Sequence, residues 1–212
     1  MEASFWHERW QRKKIAFHEG VPNALLVAGF ARLGLSAGAR VFVPLCGKSA
    51  DLGWLLARGH RVVGIELNEG AVAEAFEGLG LTPEITTLEC LTHYRGGEIE
   101  IYAGDVFALN SALLGPVEAI YDRAALVALP ETMRAAYARH LVEVTAKAPQ
   151  FLITYDYEQS QTAGPPFSVP EATVAALYDD HYRREHLASS EIAGPLAERC
   201  SGSEIAWWLR PR

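Results

Sequence analysis

A mostly parallel α/β sheet, with helices on both faces and an antiparallel hairpin at its C-terminal end, is the fold the sequence predicts. Three observations carry it. Apolar runs of strand length alternate with amphipathic segments of helix length. Arg40 to Glu66, RVFVPLCGKSADLGWLLARGHRVVGIE, reads as a buried strand, a glycine-containing turn, a helix, and a second buried strand ending in a carboxylate. Near the C-terminus, the apolar-aromatic segments around Tyr182–Leu187 and Glu204–Leu209 are joined too briefly for an easy helical crossover, which favours antiparallel pairing.

The elements follow in order. Trp6 and Trp10 lie four apart, on one face of a short N-terminal helix. The first sheet strand covers Arg40–Pro44 and must stop at Pro44, which has no N–H to donate. A helix follows over Ser49–Arg58, with Ser49 or Asp51 near its start and Gly59 past its end. Arg61–Ile65 is the next strand, and Glu69–Leu79 a helix closed by Gly80. Ile99–Ala103 and Val117–Tyr121 are strands. Pro130 and Glu131 open a helix to about Lys147 that places Met133, Ala136, Tyr137, His140, Leu141 and Val144 on one face, His140 as a core histidine. Gln150–Tyr155 is a fifth strand. Ser168-Val-Pro-Glu171 has the form of a capping box with proline in the first turn, opening a helix to about Asp179.

With 212 residues, 50% of them hydrophobic, the chain fits a single domain, residues 1–212, with residues 1–20 as an aromatic lid segment. A net charge of −7 argues against nucleic acid as a partner, since phosphates demand clustered cations. Cys46, Cys90 and Cys200 form neither a disulfide framework nor a metal-ligand spacing, so no metal is expected. The N-terminus lacks the apolar core of a signal peptide, and no apolar run approaches the roughly 18 residues of a membrane span. A cytoplasmic monomer acting on a small molecule, with no membrane partner, is the expectation.

The turn after the first strand decides which ligand the sheet holds. Leu45-Cys46-Gly47-Lys48-Ser49 imitates a phosphate loop, but the first glycine of that motif would fall at Phe42. Gly-x-Gly-x-x-Gly is also missing, which removes the case for a pyrophosphate and a hydride-transferring enzyme. Glu66 still lies about 20 residues after Gly47, where a carboxylate can accept from both hydroxyls of a ribose. A nucleoside cofactor without phosphate, such as S-adenosylmethionine, fits better. Asp105, after the third strand, either accepts from an adenine amino group or caps the short turn behind it; both roles can hold at once. Asp122-Arg123 ends the fourth strand at the ligand-binding edge. Arg123 can hold a carboxylate or steady an anionic nucleophile, Asp122 can act as a base, or the two can form a plain ion pair. Trp10 reads as packing or as a lid over a sulfonium. Phe17 and the Pro165-Pro166 stretch read as loop packing or as walls of an acceptor pocket.

Taken together, FWHERW, Ala16–His18, VFVPLCGKS, GHRVVGIEL, YDRAALVAL and GPPFSVP resemble the thiopurine S-methyltransferase family in motif and in order, from Phe5 to Pro170. The resemblance implies a seven-stranded S-adenosylmethionine-dependent methyltransferase fold and methyl transfer to a thiol, thiolate or selenol acceptor. It implies cofactor contacts at Trp10, Leu45, Glu66 and Arg123, with Gly47 in the same turn, and an acceptor side at Phe17, Pro165 and Pro166. Arg183 and Arg199 are the candidates for a second acceptor-side arginine. Methylation of selenium or tellurium compounds, or cofactor sensing without turnover, are the alternatives.

Overall fold

The computed structural model of the chain describes residues 3–12 and 20–212. Helices α1 (Ala3–Gln11) and α2 (Ala24–Gly29) precede β1 (Arg40–Pro44), α3 (Ala50–Ala57), β2 (Arg61–Glu66) and α4 (Glu69–Gly78). Next come β3 (Glu84–Thr87), β4 (Thr92–Gly96), β5 (Ile99–Ala103), α5 (Ser111–Leu114), β6 (Ala119–Asp122) and α6 (Glu131–Val144). The chain closes with β7 (Gln150–Tyr157), α7 (Glu171–Tyr178), β8 (Tyr182–Glu191), α8 (Gly194–Ala197) and β9 (Gly202–Pro211).

All nine strands form one sheet in the order β3-β4-β5-β2-β1-β6-β7-β9-β8. β5, β2, β1, β6 and β7 run parallel, and β9 and β8 complete the expected seven as an antiparallel pair. The remaining two, β3 and β4, add an antiparallel arm to the free edge of β5.

Successive residues of a strand face opposite sides of a sheet, and here both sides are covered. Phe42, Val63 and Ile65 pack under α6 and α7 with Leu126, Tyr137 and Leu141. Val41, Val43 and Val62 pack on the other side with Leu26 of α2, Leu52 and Leu55 of α3 and Phe76 of α4. Two-sided burial explains why β1 and β2 read as continuous apolar runs rather than alternating ones.

Helix starts follow local chemistry. Ser49 caps α3 by accepting from the Asp51 N–H, and Asn68 caps α4 by accepting from Ala71. Two expectations fail. Ser168 does not cap α7, whose N-cap is Pro170. Its hydroxyl instead accepts from the Tyr157 N–H at 3.1 Å, while Val169 N–H donates to the Tyr155 carbonyl at 2.7 Å. Residues 167–169 are thereby drawn along β7 and cannot enter the helix. The buried face of α6 is Arg134, Tyr137, Ala138, Leu141, Val142 and Val144: Tyr137, Leu141 and Val144 of the expected stripe are buried and Met133 packs against the core, whereas Ala136 faces solvent and His140 lies at the margin against Phe107. Arg134 is buried because its Nε donates to the Leu129 carbonyl and its guanidinium lies over the Phe167 ring.

Among the described residues, no helix is long and apolar enough to cross a membrane.

Candidate active site

The parallel strands all end at one edge, and a cavity of about 200 Å³ opens there. The turn after β1, the end of β2, the turn after β5, the residue after β6, the loop before α7, and α1 and α8 all contribute to its wall.

The turn after β1 is held in an uncommon conformation. Leu45 (φ 48°) and Gly47 (φ 52°) both occupy the left-handed region. Cys46 N–H donates to the Ile65 carbonyl, and Gly47 N–H donates to Glu66 Oε2 at 2.9 Å. Glu66 Oε1 accepts from the Asn68 N–H at 2.8 Å. One carboxylate thus pins the cofactor turn and the start of α4. Only 7% exposed, Glu66 has its pKa raised by burial, an effect opposed by the backbone N–H groups around it. A carboxylate offers about four acceptor positions, so these bonds leave room for hydroxyls arriving from the cavity that it lines. Neighbouring Cys46 is also buried, and burial, followed by the Glu66 charge, pushes its thiol well up.

Trp10 lies directly over this turn. A Cβ on Gly47 would stand 3.4 Å from its indole. Trp6 and Arg9 join it on the cavity wall, so α1 covers the cavity with the Trp6/Trp10 face. Asp105 also lines the cavity and accepts from the Phe107 N–H at 3.0 Å, which caps the turn over Val106–Ala108. The cap reading of this residue is thereby seen in the structure.

Asp122 and Arg123 part company. Consecutive residues at a strand end point to opposite sides, and Ala124 (φ 61°) turns the chain just beyond them. Arg123 lines the cavity and its Nη1 lies 3.8 Å from Asp51 Oδ2. Asp122 is fully buried and does not line the cavity. It accepts from Leu126 N–H at 3.1 Å and from the Tyr137 hydroxyl at 2.8 Å. This corrects two expectations: Asp122 is not placed to serve as a base, and the Asp122–Arg123 ion pair is replaced by one between Arg123 and Asp51.

Burial pushes the Asp122 pKa from 3.8 up to about 6, against the hydrogen bonds from Leu126 and Tyr137. Between those values the folded chain binds more protons than the unfolded one, so stability falls as pH rises through the window. Asparagine keeps the shape and an acceptor for Leu126 without the charge. Asp122→Asn is expected to gain stability relative to the parent between about pH 4 and pH 6, by about 2–3 kcal/mol at most. Denaturant midpoints of both proteins across that range check this; a pH-independent difference refutes it.

Pro165 and Pro166 line the cavity. Their loop is tied down by Phe167 N–H to the Val127 carbonyl and by the Tyr157 hydroxyl to the Pro166 carbonyl. Of the two candidate arginines, Arg199 lines the cavity, carried there by the connection containing α8; Arg183 is exposed on β8 and does not. Phe17 lies outside the described residues. Arg9 stands at the wall with no motif or spacing in the chain to announce it. Nor does any motif mark Asp51 as the partner of Arg123.

The residues present suit a nucleoside cofactor without phosphate: a buried acceptor at the end of β2, a bent turn with no further bare glycine, and an indole above it. Among solved structures, the chain resembles a 1,6-didemethyltoxoflavin-N1-methyltransferase of Burkholderia thailandensis with bound S-adenosylhomocysteine, at TM-score 0.68 and 14% identity, covering 99% of this chain and 87% of that one. Fold and site together define an S-adenosylmethionine-dependent methyltransferase. Within that class, the family model for thiopurine S-methyltransferase matches residues 1–205. The thiopurine S-methyltransferase of Xanthobacter autotrophicus is 50% identical over 210 residues, 99% of each chain. That of Teredinibacter turnerae is 49% identical over 209 residues, 99% of this chain and 97% of the other. The chain belongs to the thiopurine S-methyltransferase family.

Proposed function

We propose that the protein methylates the sulfur of an aromatic or thiopurine-type thiolate, in the cytosol. The observation that carries this reading is a cavity lined by Leu129, Met133, Pro165 and Pro166 together with the cations Arg123 and Arg199. Flat apolar surface suits a ring. A buried cation favours the anionic form of an acceptor sulfur. Glu66 would hold the cofactor's ribose, Asp105 its adenine side, and the Leu45–Gly47 turn and Trp10 its sulfonium end, with α1 closing as a lid. The bound cofactor supplies an activated methyl group. The chain's own task is then to keep the acceptor ionised, hold it in line and exclude water. No protein base is required for a thiolate, which agrees with the inward turn of Asp122.

Initial rates at saturating S-adenosylmethionine with thiophenol, a thiopurine, an aliphatic thiol, a selenol, selenite and tellurite test the proposal. Aromatic thiols are expected to be the best substrates. Turnover of the oxyanions alone would assign the site to selenium or tellurium chemistry, and cofactor binding without turnover of any acceptor would make the protein a sensor.

A further inference from the structure

We propose that Asp51 is a positioning residue for methyl transfer: its buried carboxylate, steadied by the Tyr121 hydroxyl, aims the guanidinium of Arg123 into the cavity. The inference rests on the role given to Arg123 above. Asp51 sits in the first turn of α3, immediately beyond the cofactor turn. An acidic residue there ordinarily complements the helix N-terminus from the surface. Asp51 instead points inward and is 1% exposed. Its Oδ1 accepts from the Asn23 N–H at 2.8 Å. Its Oδ2 accepts from the Tyr121 hydroxyl at 2.9 Å and lies 3.8 Å from Arg123 Nη1.

A buried carboxylate is unfavourable unless it is paired and hydrogen-bonded, and Asp51 has two hydrogen-bond donors and a nearby cation. At 3.8 Å the contact with Arg123 is Coulombic rather than a hydrogen bond. It biases the direction of the guanidinium without using an N–H group in a bond to Asp51. Burial, followed by the Asp51 charge, holds the Tyr121 phenol well above its usual pKa, so it stays a donor. Asp51 does not line the cavity, and its influence on the reaction must pass through Arg123. The same carboxylate joins three parts of the fold: α3, the end of β6, and Asn23, whose Nδ2 donates to Glu204 on β9. The arginine is thus referenced to the helix that begins at the cofactor turn.

Asp51→Asn and Tyr121→Phe, each made in the parent and in Arg123→Ala, test the inference by single-turnover transfer with both ligands saturating. Asp51→Asn in the parent is expected to slow transfer about tenfold, while cofactor affinity changes less than about twofold. In Arg123→Ala the same change should have almost no further effect, because the group being aimed is gone. Equal losses in both backgrounds would make Asp51 merely structural and overturn the proposal. Should Asp51→Asn fail to fold, Tyr121→Phe in the same two backgrounds decides by the same comparison. Parental rates in Arg123→Ala itself would remove the role of Arg123 and this inference with it, an outcome distinct from equal losses.

Discussion

Arg123→Ala should lower the rate of methyl transfer about 10²–10³-fold with cofactor and acceptor both saturating, the range for losing one preorganised charged donor in a water-poor site. The guanidinium lines the cavity, is 8% exposed and stands 3.8 Å from a carboxylate that is itself buried. On the proposed reading, a cation so placed favours an ionised acceptor sulfur and holds it in line, and both effects are needed at the transition state. The loss should therefore appear in kcat as well as in kcat/KM. Arg123→Lys keeps the charge but not the planar fork, so it should retain part of the activity. The acceptor pH profile adds a second readout: without the cation, the thiolate should form at higher pH and the activity curve should move upward. Parental single-turnover rates in Arg123→Ala would leave the residue a structural partner of Asp51.

Glu66→Ala should weaken S-adenosylmethionine binding by about 1–3 kcal/mol, the range for charge-assisted hydrogen bonds and the donors they leave behind. Two effects combine. The proposed ribose acceptor disappears, and the N–H groups of Gly47 and Asn68 lose their partner. Glu66→Gln separates them, because an amide presents one acceptor oxygen where the carboxylate presents two. It should restore one of these backbone bonds and part of the affinity. Calorimetry with cofactor and with its demethylated product measures both, and acceptor KM at saturating cofactor should move little. An unchanged dissociation constant in folded Glu66→Ala would reduce Glu66 to a brace for the turn.

The strand–turn–helix–strand unit from Arg40 to Glu66 was legible because each of its signals is local: Pro44 stops a strand, Ser49 caps a helix, Gly59 ends it. The β4–β5 hairpin turns at Gly97 and Glu98, where Gly97 takes φ 58°, a left-handed conformation that glycine adopts readily. The strands of the β3–β4 arm are short, and every residue of β3 is exposed, so no apolar alternation announced them. Ser168 shows the limit of a local motif: a tertiary acceptor role on Tyr157 outcompeted the cap. In the site, Glu66 and Arg123 stood out by register with strand ends. Asp51 did not, because its partner Tyr121 is 70 residues away and spacing along the chain carries no trace of that contact. Asp122 and Arg123 are neighbours whose side chains serve opposite faces, which a dipeptide cannot reveal without knowing where its strand stops.

The Gly-Lys-Ser run that imitates a phosphate loop has its glycine for another reason. Gly47 adopts φ 52° and bears the indole of Trp10 within 3.4 Å of where a Cβ would be. The covering helix therefore rests on bare backbone. At Gly47 that backbone is held by a hydrogen bond to Glu66. Carboxylate, turn and covering helix are linked in series like stones of an arch. On the proposed reading, in which Glu66 also grips the ribose, loosening that keystone is expected to unseat the indole above it, so that departure of the spent nucleoside and lifting of the cover are expected as a single mechanical event.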